Sequence, residues 1–293
     1  MAGYVKTYIA PIFIDAFRQY GSVYQRVNDV FDYDSVLTGY FGSIDPLMLE
    51  AYEYLKEFGL FYGTSSETAE EGAYTIYIDL YDAPVIYAKL DGTSNDLESF
   101  IHEFGHFYHA YMLGADASSL LDLCEIHSQT NELMFIPYLT EAFGKRTGEK
   151  LAKNTLVLEM YYLVQACIFT EFEFAVFEGE YSTSDELCAL FADIAASYGM
   201  GRFFADDAWT GVIHFFAAPL YYVSYCTSLV PALQIYAVYA EDREAGAALY
   251  NSIVELSDSR ASFLGVLEDS GLGDPFCEET FIAIAEMFSE ALS

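Results

Sequence analysis

The sequence predicts a mainly α-helical fold with one small β-sheet, and three observations carry that expectation. Apolar residues recur at three- and four-residue spacing through residues 1–60, most clearly in "LMLEAYEYLKEFGLF", the period of a helix with one buried face. Runs rich in β-branched and aromatic residues fall together in one place, "YTIYIDLY" and "PVIYAKL" around the turn "YDAP", and read as a pair of strands. From "DGTSN" onward the helical pattern returns, with breaks near Gly114, Gly144, Gly179, Gly201, Pro219, Pro231 and "SGLGDP". No repeat or Pro/Ser-rich linker divides the chain. A single domain over 1–293 is therefore expected, with a helical lead-in at 1–60, the strand pair within 61–92 and a helical region over 93–293.

Composition narrows the partners. At 54% hydrophobic and 17% aromatic, the 293 residues can fill a sizeable core, which excludes global disorder. A net charge of -33 repels nucleic-acid phosphates and anionic lipid heads. Neither nucleic acid nor membrane is an expected partner; cations and basic peptides are attracted instead. Five scattered cysteines, odd in number and without a CxxC pair, predict free thiols in a reducing compartment, hence a cytoplasmic location. The N-terminus shows no signal-peptide pattern. Residues 208–240 lack any charged side chain and are long enough to span a bilayer. Pro219 and Pro231, scattered polar groups and acidic flanks favour a buried helix pair there.

Taken in order, "YGTSSETAEEGAY" (Tyr62 to Tyr74) is a polar loop, followed by the strands. Asn95 then reads as a helix N-cap, with Glu98 completing a capping box, and the helix runs to about Leu113 and stops at Gly114. On it His102 and His106 lie one turn apart on one face, so both imidazoles can reach one zinc ion. Glu103 projects about 100° round from His102, where a carboxylate can take a proton from a water that the metal polarises. This is the HExxH pattern, here "HEFGH". His109 shares the His106 face and reads as structural or supporting, not as a third ligand. The next helix, opened by Ser118 or Ser119, carries Glu125 and Glu132 seven residues apart and so on one face. Buried carboxylates there need a cation or donor. Glu125 on zinc, with Glu132 hydrogen-bonding a ligand imidazole, meets that need; His127 points elsewhere and takes no role.

These residues resemble the thimet oligopeptidase and oligoendopeptidase F family of zinc peptidases. The resemblance rests on "HEFGH" and "EIHSQTNE", on the upstream order from "FGLFYG" through "GAY", the strands and "DGTSN", and on the downstream stretches "FTEFEFAVFEGEY" and "HFFAAPLYYVSY". It covers roughly Tyr40 to Ala291 and corresponds to the catalytic half of the family's pattern. It implies a zincin-like helical domain with its sheet beside the metal helix. It also implies one zinc per chain held by His102, His106 and Glu125, Glu103 as general base and Glu132 in support. His214, with Tyr221 and Tyr225 (or Tyr222 in their place), would hydrogen-bond the developing oxyanion, a task that needs donors besides the metal. Tyr221 and Tyr225, four apart, are expected on one helix face.

The expected activity is zinc-dependent endopeptidase cleavage of short peptides, with "PVIYAKL" pairing to the substrate main chain. The alternative is a non-catalytic or half-enzyme zinc- and peptide-binding module, its cleft completed by a partner chain or a second copy.

Overall fold

A computed structural model describes residues 1–21 and 33–293. The helices, in chain order, are α1 (Ala2–Tyr4), α2 (Ala10–Tyr20), α3 (Tyr33–Ile44), α4 (Pro46–Phe58), α5 (Ser94–Leu113), α6 (Leu121–Phe135) and α7 (Leu139–Phe143). They continue with α8 (Lys145–Glu178), α9 (Ser184–Ser197), α10 (His214–Ala217), α11 (Tyr222–Glu241), α12 (Arg243–Leu256), α13 (Phe263–Ser270) and α14 (Glu278–Leu292). Strands β1 (Phe61–Thr64), β2 (Ala73–Ile78) and β3 (Ala83–Lys89) lie between α4 and α5. The fold is mainly α-helical with one small sheet, as the periodicity requires.

The sheet has three strands where two were expected. β1 falls at the start of the stretch read as a loop, because it is four residues long and carries Gly63, too short and too weak a signal for strand patterning. The order is β1-β3-β2, with β3 parallel to β1 and antiparallel to β2. β3 is therefore central and paired on both sides. This corrects the expectation that "PVIYAKL" offers an edge to a substrate; the outer edge on the α5 side belongs to β2.

Two further differences are local. Thr93, not Asn95, caps α5: its hydroxyl accepts from the Asn95 amide at 3.2 Å. The Asp96 carboxylate meanwhile accepts from the amides of Asp91 and Gly92 at 2.7 and 2.8 Å and fixes the preceding turn. Pro231 does not end a helix; α11 runs through it. Burial of Leu229, Val230, Ala232 and Leu233 around the proline outweighs the lost backbone hydrogen bond.

Compactness groups the described residues into two units: 1–21, 153–230 and 274–293 form one, and 33–152 with 231–273 form the other. In the first, Phe169 of α8 packs its ring against Phe191, Phe204, Phe215 and Tyr222. In the second, α5 buries Phe100, Ile101, Phe104, Phe107 and Tyr108 in a core with α3, α4 and α12, and Phe104 stacks on Phe41 at 4.0 Å. Residues 208–240 are divided among a short 3-10 turn, α10 and α11. Among the described helices, α8 has the length and apolarity of a membrane span, and 56% of its most apolar stretch is buried.

Candidate metal centre

The centre is built where α5 and α6 meet. With the apolar stripe of α5 turned into the core, the opposite side presents His102, Glu103 and His106. Gly105 sets the approach of α6. A Cβ there would stand 2.6 Å from both the His127 carbonyl oxygen and Ser128 Cα, so the two backbones touch and no larger residue fits. Asn131 of α6 donates to the Ile101 carbonyl at 2.6 Å and is itself held by the Tyr40 hydroxyl. Backbone contact and these bonds fix the register that carries Glu125 to the imidazoles.

Glu125, 5% exposed, places Oε2 3.6 Å from His102 Nε2 and 3.7 Å from His106 Nε2. One ligand atom from each of the three residues lies within 4.8 Å of the others. Glu132, two turns beyond Glu125, accepts from His102 Nδ1 at 2.5 Å. That bond fixes the orientation of the ring and turns Nε2 toward Glu125. Ser128 Oγ stands 3.0 Å from Glu125 Oε2, and Thr75 Oγ1 of β2 stands 2.8 Å from Glu103 Oε2. Neither hydroxyl was anticipated. Ser128 was findable as the residue one turn after Glu125. Thr75 carried no such signal: it is one polar side chain among the apolar and aromatic residues of β2.

The electrostatics call for a cation. Glu103, Glu125 and Glu132 surround two imidazoles, and the two innermost carboxylates are almost wholly buried. At His102 burial opposes a charged ring, but the bonded Glu132 and the nearby Glu125 and Glu103 prevail and push its pKa up to about 10. At His106 burial outweighs the Glu125 charge and the pKa falls. Two nitrogens and one carboxylate oxygen are a donor set that suits zinc. Zinc bonds of about 2.0–2.1 Å give tetrahedral edges of roughly 3.4 Å, close to the separations across Glu125. These residues fit the ion with little movement.

The two remaining histidines of this unit lie outside the group of possible metal donors. His109 Nε2 donates to the Ser257 carbonyl at 2.8 Å, and burial pulls its pKa down to about 4. His127 packs on it with ring centroids 4.3 Å apart and is fully buried, and neither of its ring nitrogens has a hydrogen-bond partner among the described residues.

His214, Tyr221 and Tyr225 belong to the other unit. His214 opens α10 and stacks on Tyr221 at 4.7 Å, with Tyr222 and Tyr225 edge-on at 5.7 and 6.2 Å. The structure gathers all four rings, but not on one helix face. Tyr221 precedes α11, in a turn where Leu220 takes φ 64°, a left-handed conformation that costs a residue with a side chain about 1–3 kcal/mol.

The sequence model of peptidase family M3 matches residues 67–274, more than two thirds of the chain. The chain belongs to peptidase family M3. The match runs from the loop before β2 past the His214 turn, so it includes His102, Glu103, His106, Glu125, Glu132, His214, Tyr221 and Tyr225. Solved structures share the M3 chain's fold. One described as an oligoendopeptidase F aligns over 99% of this chain and 57% of its own, with a TM-score of 0.87 and 24% identity. Pz peptidase A, solved with an inhibitor, aligns over 99% and 57% with a TM-score of 0.86 and 20% identity. An oligoendopeptidase F structure from Bacillus anthracis aligns over 99% and 55%, with a TM-score of 0.83 and 20% identity. At these identities the likeness is one of fold. The M3 chain spans a little over half the length of these structures. No curated protein sequence matches it.

Proposed function

We propose that the protein is a zinc-dependent endopeptidase of the oligopeptidase type, acting on short peptides. The observation that carries this reading is the convergence of His102, His106 and Glu125 on one point beside Glu103. One zinc per chain would be held by those three residues. When bound, the ion supplies Lewis-acid polarisation of a peptide carbonyl and a water. Glu103 accepts the proton of the attacking water and returns it to the leaving amine. Thr75 keeps Oε2 of that carboxylate in place. Glu132 orients His102, and Ser128 steadies Glu125. The outer edge of β2 is the place for an extended peptide to add a strand, because β2 also carries Thr75 and so brings that peptide alongside Glu103. His214, Tyr221 and Tyr225 are assigned as donors to the oxyanion. The five free thiols support a cytoplasmic setting.

The test is zinc analysis of the purified chain combined with digestion of a peptide library, with and without a chelator. One zinc and chelator-sensitive cleavage are expected. Glu103→Gln is expected to keep the zinc and lose roughly 10²–10⁴ in turnover; cleavage at the parent rate would refute the role of Glu103. A second reading has one observation behind it, the half-length span relative to the solved structures. On that reading the chain binds zinc and peptide but needs a partner chain, or a second copy, to complete the cleft. Stoichiometric zinc without cleavage until a partner is supplied would favour it.

A further inference from the structure

The turn that presents the His214 cluster has a prop that no reading of the motifs includes. Leu220, between Pro219 and Tyr221, holds a left-handed backbone that a leucine leaves readily when nothing restrains it. Its amide donates to Glu173 Oε1 at 2.8 Å. Glu173 lies on α8, 47 residues earlier, and is 4% exposed. Its second oxygen, Oε2, is buried without a hydrogen-bond partner among the described residues. A carboxylate sealed from water with one backbone amide as its bonded partner is costly. Burial raises the Glu173 pKa and the bond from the Leu220 amide works against that rise, so the same bond restrains the amide. Directly after it come Tyr221, which stacks on His214, and the first residue of α11, Tyr222, which meets the same ring edge-on.

We propose that Glu173 is the positioning residue of the His214–Tyr221–Tyr225 cluster: its buried carboxylate pins the Leu220 amide in the left-handed turn and thereby sets where the tyrosine rings stand around His214. The geometric part stands on these contacts alone; its consequence for turnover rests on the oxyanion role given to the cluster. Glu173 touches no reacting atom and acts through Leu220.

Two measurements on the full chain test it. The first is amide hydrogen exchange of Leu220. Protection in the parent is expected, although the residue lies outside any helix, and loss of the acceptor in Glu173→Ala should speed exchange roughly tenfold or more. Exchange in the parent at the rate of an unstructured amide overturns the proposal, whether or not any variant folds. The second is the imidazole proton resonance of His214, shifted by the stacked Tyr221 ring and assigned with His214→Gln. Glu173→Gln, which retains an acceptor oxygen, should keep that shift, and Glu173→Ala should lose it. A shift unmoved in a folded Glu173→Ala protein overturns the proposal. Turnover separates the two readings: Glu173→Ala should lower kcat about tenfold at unchanged KM, with Glu173→Gln restoring it. A lost ring shift with parental kcat upholds the positioning of the rings and overturns the oxyanion role of the cluster.

Discussion

Glu132 acts on the proposed ion at one remove, through the 2.5 Å bond to His102 Nδ1. Glu132→Ala leaves the three donors in place but frees the ring to turn and lowers its basicity. Zinc affinity should fall about 10–100-fold, read by competition with a chromophoric chelator. An unchanged affinity would mean that the contact only fills space. His109 makes a prediction of another kind. Its folded pKa, about 4, lies below the ordinary 6.5 because burial disfavours the ion. Between those values the unfolded chain binds a proton that the folded one excludes. The contribution is therefore fully present above pH 6.5 and is lost as pH falls. From pH 6.5 to 5 the loss is about 2 kcal/mol, and buried His127, lowered in the same direction, adds to it. Urea unfolding at pH 7 and pH 5 checks this: His109→Gln should lose less stability than the parent over that interval, and an equal loss would contradict the assignment.

The contact between α5 and α6 depends on Gly105. Gly105→Ala puts a methyl group against the backbone of His127 and Ser128. It should destabilise the fold by about 1–3 kcal/mol and weaken zinc binding as well, because the shift separates Glu125 from the imidazoles. Calorimetry with and without zinc reads both, and a variant as stable as the parent would show that the helices can part without cost. The same elements show what was legible in the sequence. His102, His106, Glu125 and Glu132 were readable because spacings of four and seven become shared helix faces whatever the surroundings. Thr75 was not, because its contact with Glu103 depends on how β2 lies over α5, which no local period encodes. The three-strand order was hidden by the brevity of β1, and with it the fact that β3 is central. The α5 cap was missed by two residues because Thr93 and Asn95 are both good caps, and the Asp96 bonds to the preceding turn decide between them. Tyr221 was expected on a helix, but the turn at Leu220 delays α11 until the next residue.

Over the whole molecule, 45 acidic and 12 basic residues leave a charge of -33, which strains the compact state through self-repulsion. Because the Debye length shrinks from about 10 Å at 0.1 M to 3 Å at 1 M, added KCl should stabilise the protein. A Tm gain of roughly 4 °C or more between those concentrations is expected, and a flat or falling Tm would show that the repulsion is already offset by other contacts. The bare contact at Gly105 bears on the same surface. The distance between α5 and α6 is gauged by main chain against main chain, so the spacing of His102, His106 and Glu125 owes nothing to the outward-facing side chains. An M3 chain built this way is free to exchange its exterior wholesale, for acid or for base, as its surroundings demand, while the chemistry inside keeps the same measure.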